Sequence, residues 1–360
     1  MQLHRIQDIS HSVDLARTDI NEFGQLSYIA REVTEAPTVG LDFSYYAVGG
    51  YNESGLGLTL GGGPGNPHGS AQAVSGFMAQ EDNTQGQNYY VLTVPEGDDA
   101  TAGTHGSSTD WTEVQAKKNA AIGFGNGVLA SYTLDGSVGD IPSASVSIEC
   151  SNINYEPDSS GFQNPAIDPE DGTKKQGQVT LPTANSGVLG VAALRAGDIV
   201  LDFQASTNLD GGGVNLDTTT GILVQNFSIE VPLGRTPIQR IGSFLPFARP
   251  LDLPASTTMS VSAIIAEAYQ SGNLADLLCS QGPGDKRNIT ITMYEKCSRA
   301  DPSIRIGMSG AYLDSQNMSS SIGDNKTVDL SFSAQIGGAN DSENGIFISG
   351  ADVGKRDLGY

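Results

Sequence analysis

Positive charge is scarce in this sequence. Its 360 residues carry 19 Lys and Arg against 41 Asp and Glu, a formal net charge of −22. Nucleic acid is gripped through clustered Lys and Arg on its phosphates, so tight binding of DNA or RNA is not expected. Cysteine is sparse too: Cys150, Cys279 and Cys297 are an odd number, widely spaced, with no CxxC pair. That argues against a disulfide framework and a structural zinc site, and for folding in a reducing cytoplasm. No apolar run approaches the roughly 20 residues needed to cross a bilayer. The opening segment MQLHRIQDISHS has no apolar centre, so neither a secretory leader nor a membrane association is expected.

Catalytic groups are equally thin. The histidines are His4, His11, His68 and His105. The segment GMSGA at Gly307 lacks the spacing of a nucleophile elbow. GFGNG at Gly123 and GGGPGNPHG at Gly61 are not followed by the Gly-Lys-Ser/Thr of a phosphate loop. DPEDGT at Asp168 lacks the alternating oxygens and closing Glu of a calcium loop. Glycoside hydrolysis needs two carboxylates across a cleft, and no motif marks such a pair. The expectation is a protein that is not an enzyme and uses no cofactor or metal.

What the chain does have is glycine, 45 residues of it, with abundant Ser, Thr, Asn and Asp. Helix-forming Leu/Ala/Glu/Lys stretches are few, so short strands joined by Gly-rich turns are expected. The length allows two or three domains.

The organising feature is a repeat. SVDLARTDINEFG, from Ser12 to Gly24, returns as EVPLGRTPIQRIG, from Glu230 to Gly242. With Ile6 set against Val224 and no gap, identities fall at Gln7/Gln225, Ser10/Ser228, Val13/Val231, Leu15/Leu233, Arg17/Arg235, Thr18/Thr236, Ile20/Ile238 and Gly24/Gly242. Ala30-Arg31 then meets Ala248-Arg249. A second block sets Ile122-Gly123 against Ile306-Gly307, with Leu129/Leu313, Ser131/Ser315 and Ser147/Ser331, and SVGD against SIGD. The same blocks in the same order indicate duplicated units.

Each copy reads as strands. Phe227, Ile229, Val231 and Leu233 alternate with polar residues, as do Ile9, His11, Val13 and Leu15, and period two means one buried face. His11 stands where Ile229 stands, so it reads as a sheet residue rather than a base. TVGLDFSYY and MSVSAIIAEAY, SASVSIEC and TVDLSFSAQI, NYYVLTV and NITITMYE supply further strands. One short helix per copy is expected: SGNLADLLCSQ with Ser271 as cap, and GSAQAVSGFMAQ from Gly69. The residues from Tyr155 onward, EPDSSGFQNPAIDPEDGTKKQGQ, read as an exposed loop before one more strand, LRAGDIVLDFQAS. The expected fold is therefore all-β: two tandem related sandwich or barrel domains, each with a short flanking helix. The boundaries are 1–153 for the first, 154–223 for loop and connecting strand, and 224–360 for the second with its C-terminal extension. The paired positions Arg17/Arg235, Thr18/Thr236, Gly24/Gly242 and Arg31/Arg249 are candidate structural or interface residues. A guanidinium fork can bridge carboxylates and carbonyls between domains or rings; a solvated Arg beside a strand fits the same pattern.

VPLGRTPIQRIG with PFARP, APTVGLDFSYY, SVGDIPSASVSIEC and ALRAGDIVLDF resemble the major tail proteins of long-tailed bacteriophages. The resemblance covers most of the chain. It implies a β-sandwich or barrel that assembles into stacked rings, the tail tube, through which DNA is ejected. A duplicated chain of this kind implies trimeric, pseudo-hexameric rings. The implied partners are further copies of the chain, a tape measure protein, and tail-tip and neck proteins. Genomic DNA would pass through the lumen without specific binding. The implied location is the virion tail, after assembly in the host cytoplasm. The chain departs from many such proteins in lacking an evident appended immunoglobulin-like module; only NGIFISGADVGKRDLGY follows the last expected strand. The competing readings are another phage β-structural protein, of tail tip or head decoration, and a carbohydrate-binding β-protein.

Overall fold

The computed structural model describes residues 3–62, 86–93, 120–156, 162–169, 171–179, 194–205, 222–243, 245–265, 286–295, 302–320, 325–338 and 341–351. The first half contains β1 (Ile6–Asp14), β2 (Arg17–Ile20), β3 (Ala30–Val33), β4 (Thr38–Tyr46), the short helix α1 (Tyr51–Gly55), β5 (Gly61–Gly62), β6 (Gln87–Thr93), β7 (Ala120–Ser137), β8 (Ser143–Cys150) and β9 (Asn152–Glu156). The connection holds β10 (Phe162–Gln163), β11 (Gln178–Val179) and β12 (Ile199–Ala205). The second half contains β13 (Ile222–Pro232), β14 (Ser256–Ile265), β15 (Arg287–Tyr294), β16 (Pro302–Ser319), β17 (Thr327–Gln335) and β18 (Gly345–Gly350). The chain is all-β, built on a 14-stranded sheet whose main path runs β1-β4-β8-β7-β13-β14-β17-β16-β15-β12. Every pairing along that path is antiparallel.

The repeated residues take the same places in the two halves. Along β1 and β4, Ile9, His11 and Val13 stand opposite Phe43, Leu41 and Val39. Along β13 and β14, their mates Phe227 and Ile229 stand opposite Val261 and Met259. Both pairs bulge at the matched glutamine, between Ile6 and Asp8 and between Val224 and Asn226. In each bulge the glutamine amide bonds a carbonyl two residues back, Gln7 to Arg5 at 3.0 Å and Gln225 to Leu223 at 3.2 Å. The β7/β8 and β16/β17 pairs bulge between Leu129 and Ser131 and between Leu313 and Ser315. Such bulges bend a strand and strengthen its twist.

The two longest strands, β7 and β16, have 18 residues each and pair with different strands along their two halves. The first half of β7 pairs with β6 and β9, and the first half of β16 with β15 and β18. At the bend, Asn126 (φ 56°) and Gly310 (φ 67°) adopt matching left-handed backbones. The N–H of each donates to the side chain of a matched asparagine, Asn88 and Asn288, at 3.3 Å. At Gly310 a Cβ would lie 2.5 Å from Asn344 Oδ1, so glycine is needed. The other copy has open space enough for an asparagine, which tolerates this conformation and ties Ile167 by both of its backbone groups.

Alternation puts Val39, Leu41, Phe43, Tyr45, Val146, Ile148, Met259, Val261, Leu330 and Phe332 on one buried face, and a single hydrophobic cluster runs through both halves. The strand LRAGDIVLDFQAS appears as β12, beside β15. The expected helices at 69–80 and 271–281 lie outside the described residues. Elements without a strand or helix expectation in the sequence include α1, the β10/β11 pair inside the expected loop, β18, the arm strands β2 and β3, the short β5 and β9, and the two longest strands, β7 and β16, whose residues stood out only as repeat matches. The segment GIFISG, placed by sequence after the last expected strand, forms β18. Gly350 approaches Gly49 so closely that a Cβ would meet its carbonyl at 2.3 Å. Two glycines at that crossing let β18 pair in parallel with β5 and join the two halves.

α1 carries Glu53 into the core, where its Oε1 accepts from Tyr45 Oη at 2.8 Å and Tyr132 Oη at 3.2 Å. Its Oε2 is buried with no hydrogen-bond partner. Desolvation raises the Glu53 pKa, against the opposing pull of its hydrogen bonds, so the fold favours the protonated acid. A folded-state pKa above the unfolded value means stability present at low pH and lost as pH rises from the ordinary carboxylate range to the raised value. Glu53→Gln removes that titration. The melting temperature of Glu53→Gln relative to wild type is expected to climb with pH over that window and then level off; thermal denaturation from pH 4 upward checks it.

Candidate assembly interface

The two repeats meet edge to edge. The second half of β7 pairs with β13 from Ser131 opposite Pro232, through Leu134 opposite Ile229, to Ser137 opposite Asn226. Two backbone bonds extend this seam: Leu233 N–H to Ala130 O and Val138 N–H to Gln225 O, each 2.8 Å. On the buried face Gly136 lies beneath Phe227, and a Cβ there would sit 2.4 Å from the ring. The glycine leaves room for the aromatic ring at the seam.

After β1 and after β13 the chain forms an arm. In the first, β2 and β3 pair Arg17 with Val33 and Ile20 with Ala30. In the second, isolated bridges join the matched residues, Arg235 with Leu251 and Ile238 with Ala248. Gly24 (φ 98°) and Gly242 (φ 94°) turn the two tips in the left-handed region. Thr18 Oγ1 meets Thr34 Oγ1 at 3.2 Å, and Thr236 Oγ1 donates to Asp252 Oδ2 at 2.9 Å, so the matched threonines close the arm bases.

The matched arginines differ. Arg17 is exposed on β2, whereas Arg235 donates to the Arg249 carbonyl at 2.8 Å inside its own arm. Arg31 pairs with Asp19 at 2.8 Å on the surface. Arg249 crosses the seam: its guanidinium lies 3.9 Å from Glu149 of β8. Burial lowers its pKa, and the Glu149 charge offsets part of that effect. Pro237 stands where the first arm has Asp19, and the one acid of the second arm, Asp252, accepts from Thr236. Sequence pairing identified Arg249 but not its partner; charge alone did not single out Glu149.

The seam has a mate at neither end of the run. Among the described residues β1 is paired on one side only, with β4, and Tyr312–Ser319 of β16 is paired only with β17. Exposure records the difference. Val231 and Leu233 are 1% and 0% exposed, while their mates Val13 and Leu15 are 44% and 48%. On the other edge Met318, the mate of Leu134, is 60% exposed. The arm tips expose Phe23, Leu26 and Ile241 fully. His11, exposed, bonds Tyr155 Oη at 3.0 Å and packs edge-on to Phe124.

The opposite face of the run is polar. Asp8, Ser10, Ser12 and Asp14 of β1 continue into Asp42 and Ser44, then Ser145, Ser147 and Glu149, then Thr133 and Asp135. Beyond the seam come Ser228 and Glu230, Ser260 and Ser262, Asp329 and Ser331. No Lys or Arg occurs in the strand segments that build this face. Among the described residues no group of three or more His, Cys, Asp or Glu could hold a metal ion. Asp168 sits in a tight turn, its N–H bonded to Thr173 O at 2.8 Å. Neither a protein-family model nor a curated protein matches the chain.

The Gly136/Phe227 pair generates an expectation. Their mates are Ser320, larger than glycine, and Ile9, smaller than phenylalanine. Gly136→Ser should lower stability by about 1–3 kcal/mol through overpacking. Adding Phe227→Ile should recover part of that loss, and a double-mutant cycle in urea reads the non-additivity.

Proposed function

We propose that the chain is a self-assembling structural protein of a virion, a major tail protein whose stacked rings form the tube of a long-tailed phage. The observation that carries the reading is the β7/β13 seam: two halves of matched register joined edge to edge, with the matching edges at both ends of the run left open among the described residues. In this reading the halves are tandem copies of one β unit, and each chain fills two of six equivalent places in a ring. Three chains close it. A head-to-tail contact of this kind is heterologous, and it either closes into a ring or runs on as a filament. The exposed arm tips, Phe23, Leu26 and Ile241, reach the next ring in the stack.

The polar face of the run lines the lumen in this reading. Its strands present Asp8, Asp14, Asp42, Asp135, Glu149, Glu230 and Asp329 among serines and threonines and hold no Lys or Arg of their own; the one cation described at this face is Arg249, which reaches Glu149 from the second arm. A polyanion meets weak repulsion there, screened beyond about 8 Å at physiological salt, and nothing that holds it by counterion release. DNA transits without being bound. The protein works in the virion tail, with a tape measure protein inside the tube during assembly and tip and neck proteins at its ends.

Electron microscopy of the purified protein tests the reading. Tubes or stacked rings with three chains per ring are expected. A single closed ring points to a tip protein, and monomers that engage sugars point to a lectin. In a mobility-shift assay at about 0.15 M salt no retardation of duplex DNA is expected; tight, salt-sensitive binding overturns the lumen assignment.

A further inference from the structure

Resting on that reading, we infer that β1 of one chain adds to β16 of a second copy of the same chain, in the register that β13 and β7 use within one chain. An edge strand with free N–H and C=O groups pairs with another strand wherever one fits. Here the fitting strand is already specified, because β1 is the mate of β13 and the second half of β16 is the mate of the second half of β7. Transferring the internal register residue by residue sets Asp14 opposite Ser315, Ser12 opposite Asn317 and Ser10 opposite Ser319 on the polar face. On the apolar face it sets Val13 opposite Gln316 and His11 opposite Met318.

The chemistry of the two edges agrees with this register. No like charges stand opposite each other, a pairing that would weaken a sheet. Bulges match, since both β7 and β16 shift at the residue before the paired stretch. The apolar residues left exposed on β1, Val13 and Leu15, are the mates of residues the internal seam buries. Ser320 fits beside Ile9, where the bulkier Phe227 requires Gly136. The seams are not identical: Glu149 is matched by Ser333, so the Arg249 ion pair has no counterpart between chains. Gln316 and Met318 replace Tyr132 and Leu134, making the contact between chains less apolar than the one within. It is the weaker of the two, and it forms only after the chain has folded.

Disulfide trapping tests the register. The full chain carries Ser12→Cys and Asn317→Cys, with Cys279 and Cys297 changed to Ser. Under mild oxidation it should give a ladder of covalent multimers on a non-reducing gel, since directly opposed residues come within disulfide reach. Ser12→Cys with Ser315→Cys, displaced by two residues, should give at least tenfold less. A second variant, Val13→Asp, should melt like wild type, because Val13 is exposed in the single chain, yet sediment as monomer. No ladder, an equal ladder from the displaced pair, or normal assembly of Val13→Asp overturns the inference. A register-specific ladder without tubes in the microscope keeps the strand pairing and removes the tail-tube reading. Tubes without the ladder do the reverse.

Discussion

An edge strand must place its backbone N–H and C=O groups somewhere, and this chain resolves that demand once inside itself. The β7/β13 pairing turns two sets of strands into one sheet, and the rest of the architecture follows from it. The core runs unbroken through both halves because the sheet does. The second arm lies against the first half, close enough for Arg249 to reach Glu149, because β13 is clamped beside β7. The first arm has no such support and projects with its apolar tip uncovered. What the seam does for β13 it leaves undone for β1, and the difference in burial between Val231 and Val13 is the measure of that.

The repeat was legible in the sequence because bulges, turns and left-handed positions constrain side chains more tightly than strands do. Gln7/Gln225 and Gly24/Gly242 are identical for that reason: one amide bonds its own bulge, and one glycine turns an arm tip. Strand faces were legible as alternation, with Ile229 and Leu41 on the buried side. Other features left weaker marks. β18 reads as six mixed apolar and small residues, too short for a period to stand out, and its place depends on glycines at 49 and 350 that meet only in three dimensions. α1 has five residues and no capping side chain. Glu53 reads in sequence as one acid among 41, and nothing local announces that two tyrosines from distant strands will enclose its carboxyl.

The candidate interface was legible in part. Pairing by repeat named the four arginines, but which of them crosses the seam depends on what lies near each in the fold: Arg31 has Asp19 beside it, whereas the matching place near Arg249 is Pro237. The unpaired edges could not be read from sequence, since strand order does not follow chain order: β8 comes before β7 along the sheet. Net charge pointed to an acidic surface without placing it. The pleat places it, by sending alternate residues of every strand in the run to the same side.

Joining two equivalent units in one polypeptide changes the kinetics of building anything from them. The internal seam forms at the effective concentration set by a tether rather than at the concentration of free protein, which for short flexible links is millimolar. In the proposed ring of three chains, half of the edge contacts would be complete before two chains meet. Closure would then be a three-body rather than a six-body event, and its rate would depend less steeply on protein concentration. A covalent link also lets the two halves differ: Arg249 reaches Glu149 across the seam, while Arg31 pairs with Asp19 in its own arm.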